Sequence, residues 1–337
     1  MRAIVQDSYG SADVLHPAEI ERPVVGADDV LLQVKASSLH VGDWHLMAGL
    51  PYLVRPAVGL RAPKSRVRGM DVAGRVEAVG ANVTRFTPGD EVFGVCEGSL
   101  AEYAIARADK LEPKPAALSF EQAAAVPTSA VTALQALAPL RAAGPGERVL
   151  VIGASGAIGG YAVQLAKTFG AQVTGVASTA KLDYVLSLGA DVAVDYTRGD
   201  ITRSGERYDL VIDTGGNRSV SSLRKLLARR GTLVIVGGEG GGRVAGGFGR
   251  SLRALLMSPF VSQRLTGLVS IVRQDDLHTL AGLLERGAIT PVIDRVYPLA
   301  EAATAMRRLT DGSIRGKVVV TPSSTGWANP ASPSPSA

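Results

Sequence analysis

Residues 148–159, Arg148-Val149-Leu150-Val151-Ile152-Gly153-Ala154-Ser155-Gly156-Ala157-Ile158-Gly159, constrain the fold more than any other stretch. An apolar run of strand length enters a glycine loop. The chain then leaves in a helical pattern, with Ile158, Ala162, Leu165, Ala166 and Phe169 recurring at spacings of three and four before Gly170. The run predicts a buried strand, and the periodicity predicts an amphipathic helix ended by a glycine. In such a loop Gly153 allows the tight turn, Gly156 lets the backbone approach a pyrophosphate across Ser155, and Gly159 lets the helix pack on the strand. Backbone N–H groups at the helix start then meet the phosphates. The spacing is G-x-x-G-x-x-G rather than G-x-G-x-x-G, and glycine loops also join strands to helices without any ligand. The flanking strand and helix favour the dinucleotide reading.

The rest of the chain supplies a sheet for this unit and a second domain. With 337 residues, 46% of them hydrophobic, it can bury two cores. After the loop, strand-length apolar runs at 148–152, 172–177, 192–194, 210–213 and 232–236 alternate with helical segments, the pattern of a parallel sheet with crossover helices. Before it, from Ala3 to about Leu118, short β-rich runs alternate with Gly, Pro and Asp turns and predict a largely antiparallel β domain. The character changes near Glu121, where Ala-rich helical periodicity begins. The fold class is therefore α/β, a doubly wound parallel sheet beside a β domain. The final stretch, 323–337, is rich in Ser, Pro and Ala and predicts disorder.

The end of the second strand selects the cofactor. An acidic residue there would accept hydrogen bonds from the ribose 2′-hydroxyl of NAD. Instead Ala177 is followed by Ser178-Thr179-Ala180-Lys181, which offers hydroxyls and a cation to a 2′-phosphate. A charge-assisted contact of that kind contributes about 1.5–3 kcal/mol, so NADPH is expected over NADH. Tyr196, just past the third strand, is a candidate to close over the adenosine phosphate, with a surface tyrosine as the other reading.

Composition excludes several classes. Cys96 is the single cysteine, which rules out an internal disulfide and a cysteine-rich metal centre. The net charge of +5 comes from scattered arginines rather than runs, which argues against nucleic acid. No apolar stretch approaches the roughly 20 residues of a membrane span. The opening Met1-Arg2-Ala3-Ile4-Val5 lacks the pattern of a signal peptide, so a cytoplasmic location is expected.

Several ordered motifs now coincide: Gly69-Met70-Asp71-Val72-Ala73-Gly74 with Gly80, Pro88-Gly89-Asp90-Glu91-Val92-Phe93-Gly94, Ala124-Ala125-Val126-Pro127 to Thr132, the Gly153 loop, Leu188-Gly189-Ala190-Asp191 and Gly316-Lys317-Val318-Val319. With them the chain resembles the zinc-independent branch of the medium-chain dehydrogenase/reductase superfamily, the NADPH:quinone oxidoreductase-like proteins. The resemblance implies a GroES-like catalytic domain at 1–122, a Rossmann NADPH-binding domain at 123–265 and a return to the catalytic domain at 266–322, with the active site in the cleft between them. It implies that Thr132 approaches the nicotinamide, that Ala157 and Ile158 line the pyrophosphate, and that Gly237 and Gly238 lie near the cofactor. Lys317 matches a frequent family lysine and is grouped with the cofactor residues. A homodimer is also implied. Zinc-using relatives carry Gly-His-Glu where this chain has Gly69-Met70-Asp71, and a cysteine near Ser38, so no metal site is expected.

The chemistry follows from that expectation. Without a Lewis acid, hydride addition to a quinone or enone, which leaves a delocalised oxyanion, is favoured over simple alcohol chemistry. The expected partner is a small hydrophobic acceptor. His40 stands where the family usually has Asn, and Tyr52 matches a tyrosine near the substrate in some quinone reductases; each is a candidate proton or hydrogen-bond donor. His40, Asp43 and His45 also form an H-x-x-D-x-H cluster of competent metal ligands. A helix started across 43–45 would keep them from converging, which favours structural hydrogen bonds. Residues 250–268 interleave leucines with arginines, and the plainest expectation is a packed helix broken near Pro259. A lid, a dimer contact and a membrane-surface helix are the other readings. The competing functions are an enoyl-thioester reductase and an NADPH-binding sensor or nucleic-acid-binding protein with little turnover.

Overall fold

The computed structural model describes residues 1–143, 145–237, 242–323 and 327. Six parallel strands form the dinucleotide-type sheet: Arg148–Ile152, Gln172–Ala177, Val192–Asp195, Tyr208–Asp213, Leu227–Ile235 and Arg264–Gly267. In space they run third, second, first, fourth, fifth, sixth, so the strand order reverses beside the first strand, whose end feeds the glycine loop. That reversal opens a crevice at the carboxyl ends of the strands. Val149, Leu150 and Val151 are fully buried, as expected of a strand covered on both faces.

A seven-stranded sheet makes the other domain. Its spine is the strand Asp29–Leu39, which pairs antiparallel with Asp71–Val79, Tyr103–Arg107 and Lys317–Thr321. Val30, Leu32, Val34 and Ala36 alternate inward at 2% exposure or less, the period of a half-buried strand. The strand Ile293–Pro298 joins parallel to Lys317–Thr321, so residues from near the end of the described chain complete the sheet whose spine is Asp29–Leu39. The helices Pro127–Ala136 and Ala157–Thr168 pack together through small residues, Ala130, Ala133 and Ala162 among them, in the largest core cluster. Among the described residues no helix is long and apolar enough to cross a membrane.

Three expectations are corrected. The fifth strand begins at Leu227 rather than Thr232; Arg229, Arg230 and Gly231 hide its first half, and the pairing with Tyr208–Asp213 shifts register there. In residues 250–268 the expected break near Pro259 is present, but the helix before it is not packed. The helix is Phe248–Met257, and its face is bare: Ala254 is its one buried residue, while Leu252, Leu255 and Leu256 are about 60% exposed. The chain then turns through Ser258–Phe260 into the sixth strand, Arg264–Gly267, which carries the parallel sheet two residues past the expected limit at 265. Of the expected tail, Ser323 and Trp327 alone are described. Trp327 packs beside the cluster of Ile4, Leu39 and Tyr297, with the Arg2 guanidinium 5.5 Å from its ring centroid.

Candidate active site

The glycine loop is built as the sequence requires. Gly153 has φ +82°, and a Cβ there would lie 2.4 Å from Thr214 Oγ1. A Cβ on Gly159 would meet the Gly153 carbonyl at 2.1 Å, so the helix crosses its own loop in backbone contact. Gly156 is different. Its φ is −80°, open to any residue, and its added Cβ would touch nothing closer than the Gly153 carbonyl at 3.5 Å. The fold therefore does not demand glycine at 156. What the missing side chain leaves clear is the N-terminus of the helix Ala157–Thr168, whose first N–H groups have no partner within the helix. Ser155 is nearly buried, Ala157 opens the helix, and Ile158 packs against the core.

The last segment of the chain crosses to this loop. Gly316 forms a parallel bridge to Gly156, which brings the seven-stranded sheet's domain against the glycine turn. Lys181, at the end of the second strand, donates to the Gly312 and Ile314 carbonyls at 2.7 and 2.8 Å. Two of its three N–H donors are thus engaged in holding the domains together. Burial and then the nearby Arg315 push its pKa down. Arg315 donates to the Ala180 carbonyl at 2.7 Å, so a second cation stands beside Ser178 and Thr179. The Thr179 hydroxyl lies 3.0 Å from that of Thr197 and also bonds the Asp195 carboxylate. Tyr196 is half exposed at the rim.

Across the cleft lies a buried ion pair. Lys317 Nζ is 3.0 Å from Asp71 Oδ2 and 3.3 Å from Ser129 Oγ, with both charged side chains at 1% exposure or less. Lys317, expected among the cofactor residues, is sealed away from the loop; its neighbour Gly316 makes the contact instead. Asp71 also accepts from the Thr128 backbone N–H at 3.0 Å. The Ser38 hydroxyl stands 3.0 Å from Asp71 and 2.8 Å from the Ala124 carbonyl, with one proton to share. Burial pushes the Asp71 carboxyl up, but the Lys317 ammonium, His40 and Thr128 hold it below the usual carboxylate range. Thr132, one turn along, is nearly buried and donates to the Thr128 carbonyl at 2.6 Å. The positions of the Gly-His-Glu motif and its cysteine are thus a serine, a methionine and a paired aspartate. Among the described residues no cluster of three or more His, Cys, Asp or Glu is placed to hold a metal ion.

His40 caps the helix Val41–Ala48. Its backbone N–H donates to Asp43 Oδ2 at 3.0 Å, its Nε2 lies 3.5 Å from the same oxygen, and the ring nitrogen has no hydrogen-bond partner. Asp43 is fully buried, and burial raises its pKa. His45 turns to the other end of the helix, where Nδ1 lies 2.9 Å from the Leu50 carbonyl, so the three residues do not converge. Tyr52 is 38% exposed, with the guanidiniums of Arg55 and Arg243 at 4.7 and 5.8 Å from its ring. Its backbone N–H donates to the Arg243 carbonyl, a bond between the domains. There a cavity of about 350 Å³ is walled by Val41, Trp44 and Pro51 on one side and Gly242 and Gly246 on the other. Gly237 packs its Cα against Thr214 near the crest of the sheet; Gly238 lies outside the described residues.

Sequence reasoning missed Arg315, the Asp213–Arg250 ion pair at the strand crest, and Arg68. Asp213 binds the Gly215 and Gly216 N–H groups while Arg250 reaches back to it from the exposed helix. A strand ending in Asp before Thr214-Gly215-Gly216 was the available signal for the first half of that pair.

With this geometry in hand, the comparisons with known proteins are consistent. Residues 26–116 match the family described as the alcohol dehydrogenase GroES-like domain, and residues 188–320 match the one described as zinc-binding dehydrogenase. A chloroplastic quinone-oxidoreductase homolog of Spinacia oleracea is 32% identical over 96% of this chain and 98% of its own length. A chloroplastic NADPH-dependent alkenal/one oxidoreductase of Arabidopsis thaliana is 34% identical over 96% of this chain and 80% of its own. The structure of the quinone oxidoreductase from Coxiella burnetii superposes with a TM-score of 0.84 at 29% identity, over 95% of this chain and 99% of that one. The chain belongs to the quinone oxidoreductase-like family of medium-chain dehydrogenases/reductases and is an NAD(P)H-dependent oxidoreductase.

Proposed function

We propose that this protein is an NADPH-dependent, zinc-independent reductase acting on a quinone, an enone or a related activated carbonyl acceptor. The observation that carries the reading is Gly156, a glycine that no internal contact requires, set over a helix N-terminus that no side chain caps. NADPH, when bound, supplies the hydride. The chain binds and orients: Gly153, Ser155, Gly156, Ala157, Ile158 and Gly159 cradle the pyrophosphate, and Thr132 and Gly237 bracket the nicotinamide. Ser178, Thr179, Lys181 and Tyr196, joined by Arg315, receive the 2′-phosphate. Lys317 acts through Asp71 as a positioning residue.

Zinc independence is supported by the Lys317 ammonium, which already neutralises the one carboxylate at the position of the metal ligands; a divalent cation would have to displace it. An acceptor entering the interdomain cleft would meet His40, whose buried Nε2 lies 3.5 Å from Asp43 Oδ2, and Tyr52, and either can donate a proton or hydrogen bond to the developing oxyanion. The Arabidopsis relative named for alkenals and enones supports the same acceptor class. The homodimer reading is supported by the sheet edge at Arg264–Gly267 and the exposed Leu255, Leu256, Val269 and Ile271 around it. Light scattering that returns the mass of one chain would remove that element.

Calorimetric titration tests the cofactor assignment. Tighter binding of NADPH than NADH, by tenfold or more, is the expected result; equal affinity would contradict it.

A further inference from the structure

A second cavity, of about 410 Å³, opens in the GroES-like domain beside Gly69 and Met70. Met70 precedes the buried Asp71, and Leu46 lies on the helix capped by His40, so the cavity borders the candidate site. Leu46, Val58, Val67 and Met70 give it an apolar wall. Arg68, with 6% of its surface exposed, and Lys64 add positive charge, and Glu97 stands exposed beside them.

Arg68 is the unexplained group. Among the described residues the one hydrogen bond of its side chain goes to the Ser65 carbonyl, its Nε is buried without a partner, and no carboxylate is within ion-pair distance of it. Burial pushes its pKa down, and Asp43, Tyr9 and Glu97 oppose that only through space. A guanidinium buried this way costs stability. The cost is recovered when an anion enters, because the fork of a guanidinium matches the two oxygens of a carboxylate.

We propose that Arg68 selects acceptors bearing a carboxylate, and that the substrates of this protein include unsaturated oxo-acids whose carbon chain lies on the wall of Leu46, Val58 and Met70 while the carboxylate meets Arg68. The inference rests on the reductase reading above. For trans-4-oxo-2-pentenoate the step balances as a conjugate reduction. The hydride from NADPH forms a C–H bond at the carbon β to the ketone, the C=C π bond is lost, a proton adds at the α carbon, and 4-oxopentanoate and NADP⁺ result.

Steady-state kinetics on trans-4-oxo-2-pentenoate and its methyl ester, two acceptors that differ by the charge, provide the test. The wild-type protein is expected to favour the acid by roughly tenfold to a hundredfold in kcat/KM, chiefly through KM, as a charge-assisted bond implies. Arg68→Gln is expected to abolish that ratio and Arg68→Lys to keep part of it. An ester used as well as the acid by wild type, or a preference that survives in folded Arg68→Gln, overturns the proposal. Turnover of neutral quinones with neither pentenoate accepted also overturns it and leaves the reductase reading standing. If no acceptor consumes NADPH, the reductase reading fails, and binding of 4-oxopentanoate measured by calorimetry decides the site: weaker binding to Arg68→Gln supports it, and equal or absent binding ends it. Should Arg68→Gln fail to fold, the wild-type ratio and Arg68→Lys decide.

Discussion

Lys317 Nζ lies 3.0 Å from Asp71 Oδ2 in a fully buried pair that ties the strand Lys317–Thr321 to the start of the strand Asp71–Val79. Removing one partner strands the other charge, so Lys317→Met is expected to cost about 3–5 kcal/mol in urea unfolding. Lys317→Met combined with Asp71→Asn should recover most of that loss. A single variant as stable as wild type would show that the pair does not hold the domain. The sign of the pH dependence follows from the lowered Asp71 pKa. Its stabilisation is present above the unfolded carboxylate value of about 4 and is lost as the pH falls through the lower folded value.

The glycine loop separates a packing role from a binding role. Gly159→Ala drives a Cβ to 2.1 Å from a carbonyl oxygen and should abolish folding or lower the melting temperature sharply. Gly156→Ala meets no such atom and should cost about 1 kcal/mol or less, the difference between Gly and Ala at an N-cap. Its binding of NADPH should nevertheless fall at least tenfold. Unimpaired binding by Gly156→Ala would remove the pyrophosphate from this loop.

Lys181 and Arg315 share the end of the second strand differently from what the sequence suggests. Lys181 already holds two carbonyls of residues 312–314, so Lys181→Ala should weaken NADPH and lower stability together. Arg315→Ala, with one backbone bond to lose, should raise the KM for NADPH roughly tenfold or more while leaving that for NADH within about twofold. Equal losses for both cofactors in Arg315→Ala would place its guanidinium away from the 2′-phosphate.

The parallel sheet and the loop were legible because strand, turn and helix are neighbours in sequence, and Gly153 and Gly159 have purely local reasons. Contacts between distant residues were not. Lys317 and Asp71 are 246 residues apart, and nothing in either segment marks the partner. Lys181 read correctly as a cation at the second strand's end, but its carbonyl partners at 312 and 314 come from the far end of the chain. The helix Phe248–Met257 showed its periodicity without showing that its apolar face is bare, because periodicity does not report what covers a face. The strand Arg264–Gly267 is four residues long and half polar, too short to register.

Asp43 behaves oppositely to Asp71. Burial raises its pKa, so its ionisation penalises the folded state increasingly as the pH rises above about 4. Asp43→Asn keeps an oxygen for the His40 N–H and removes the charge. It should be more stable than wild type at neutral pH, with the difference vanishing below about pH 4. Thermal unfolding at the two pH values checks this; a variant equally destabilised at both would mean that the carboxylate, not the acceptor oxygen, orders the helix cap.

The central claim is hydride transfer from NADPH to an activated acceptor in the cleft between the two domains. It is tested most directly by following NADPH absorbance with purified protein across a panel of quinones, enones and enoyl thioesters, in the presence of a chelator. Turnover with quinones or enones is expected, undiminished by the chelator and slowed in His40→Asn or Tyr52→Phe. Turnover confined to thioesters, turnover abolished by the chelator, or none with any acceptor would contradict it.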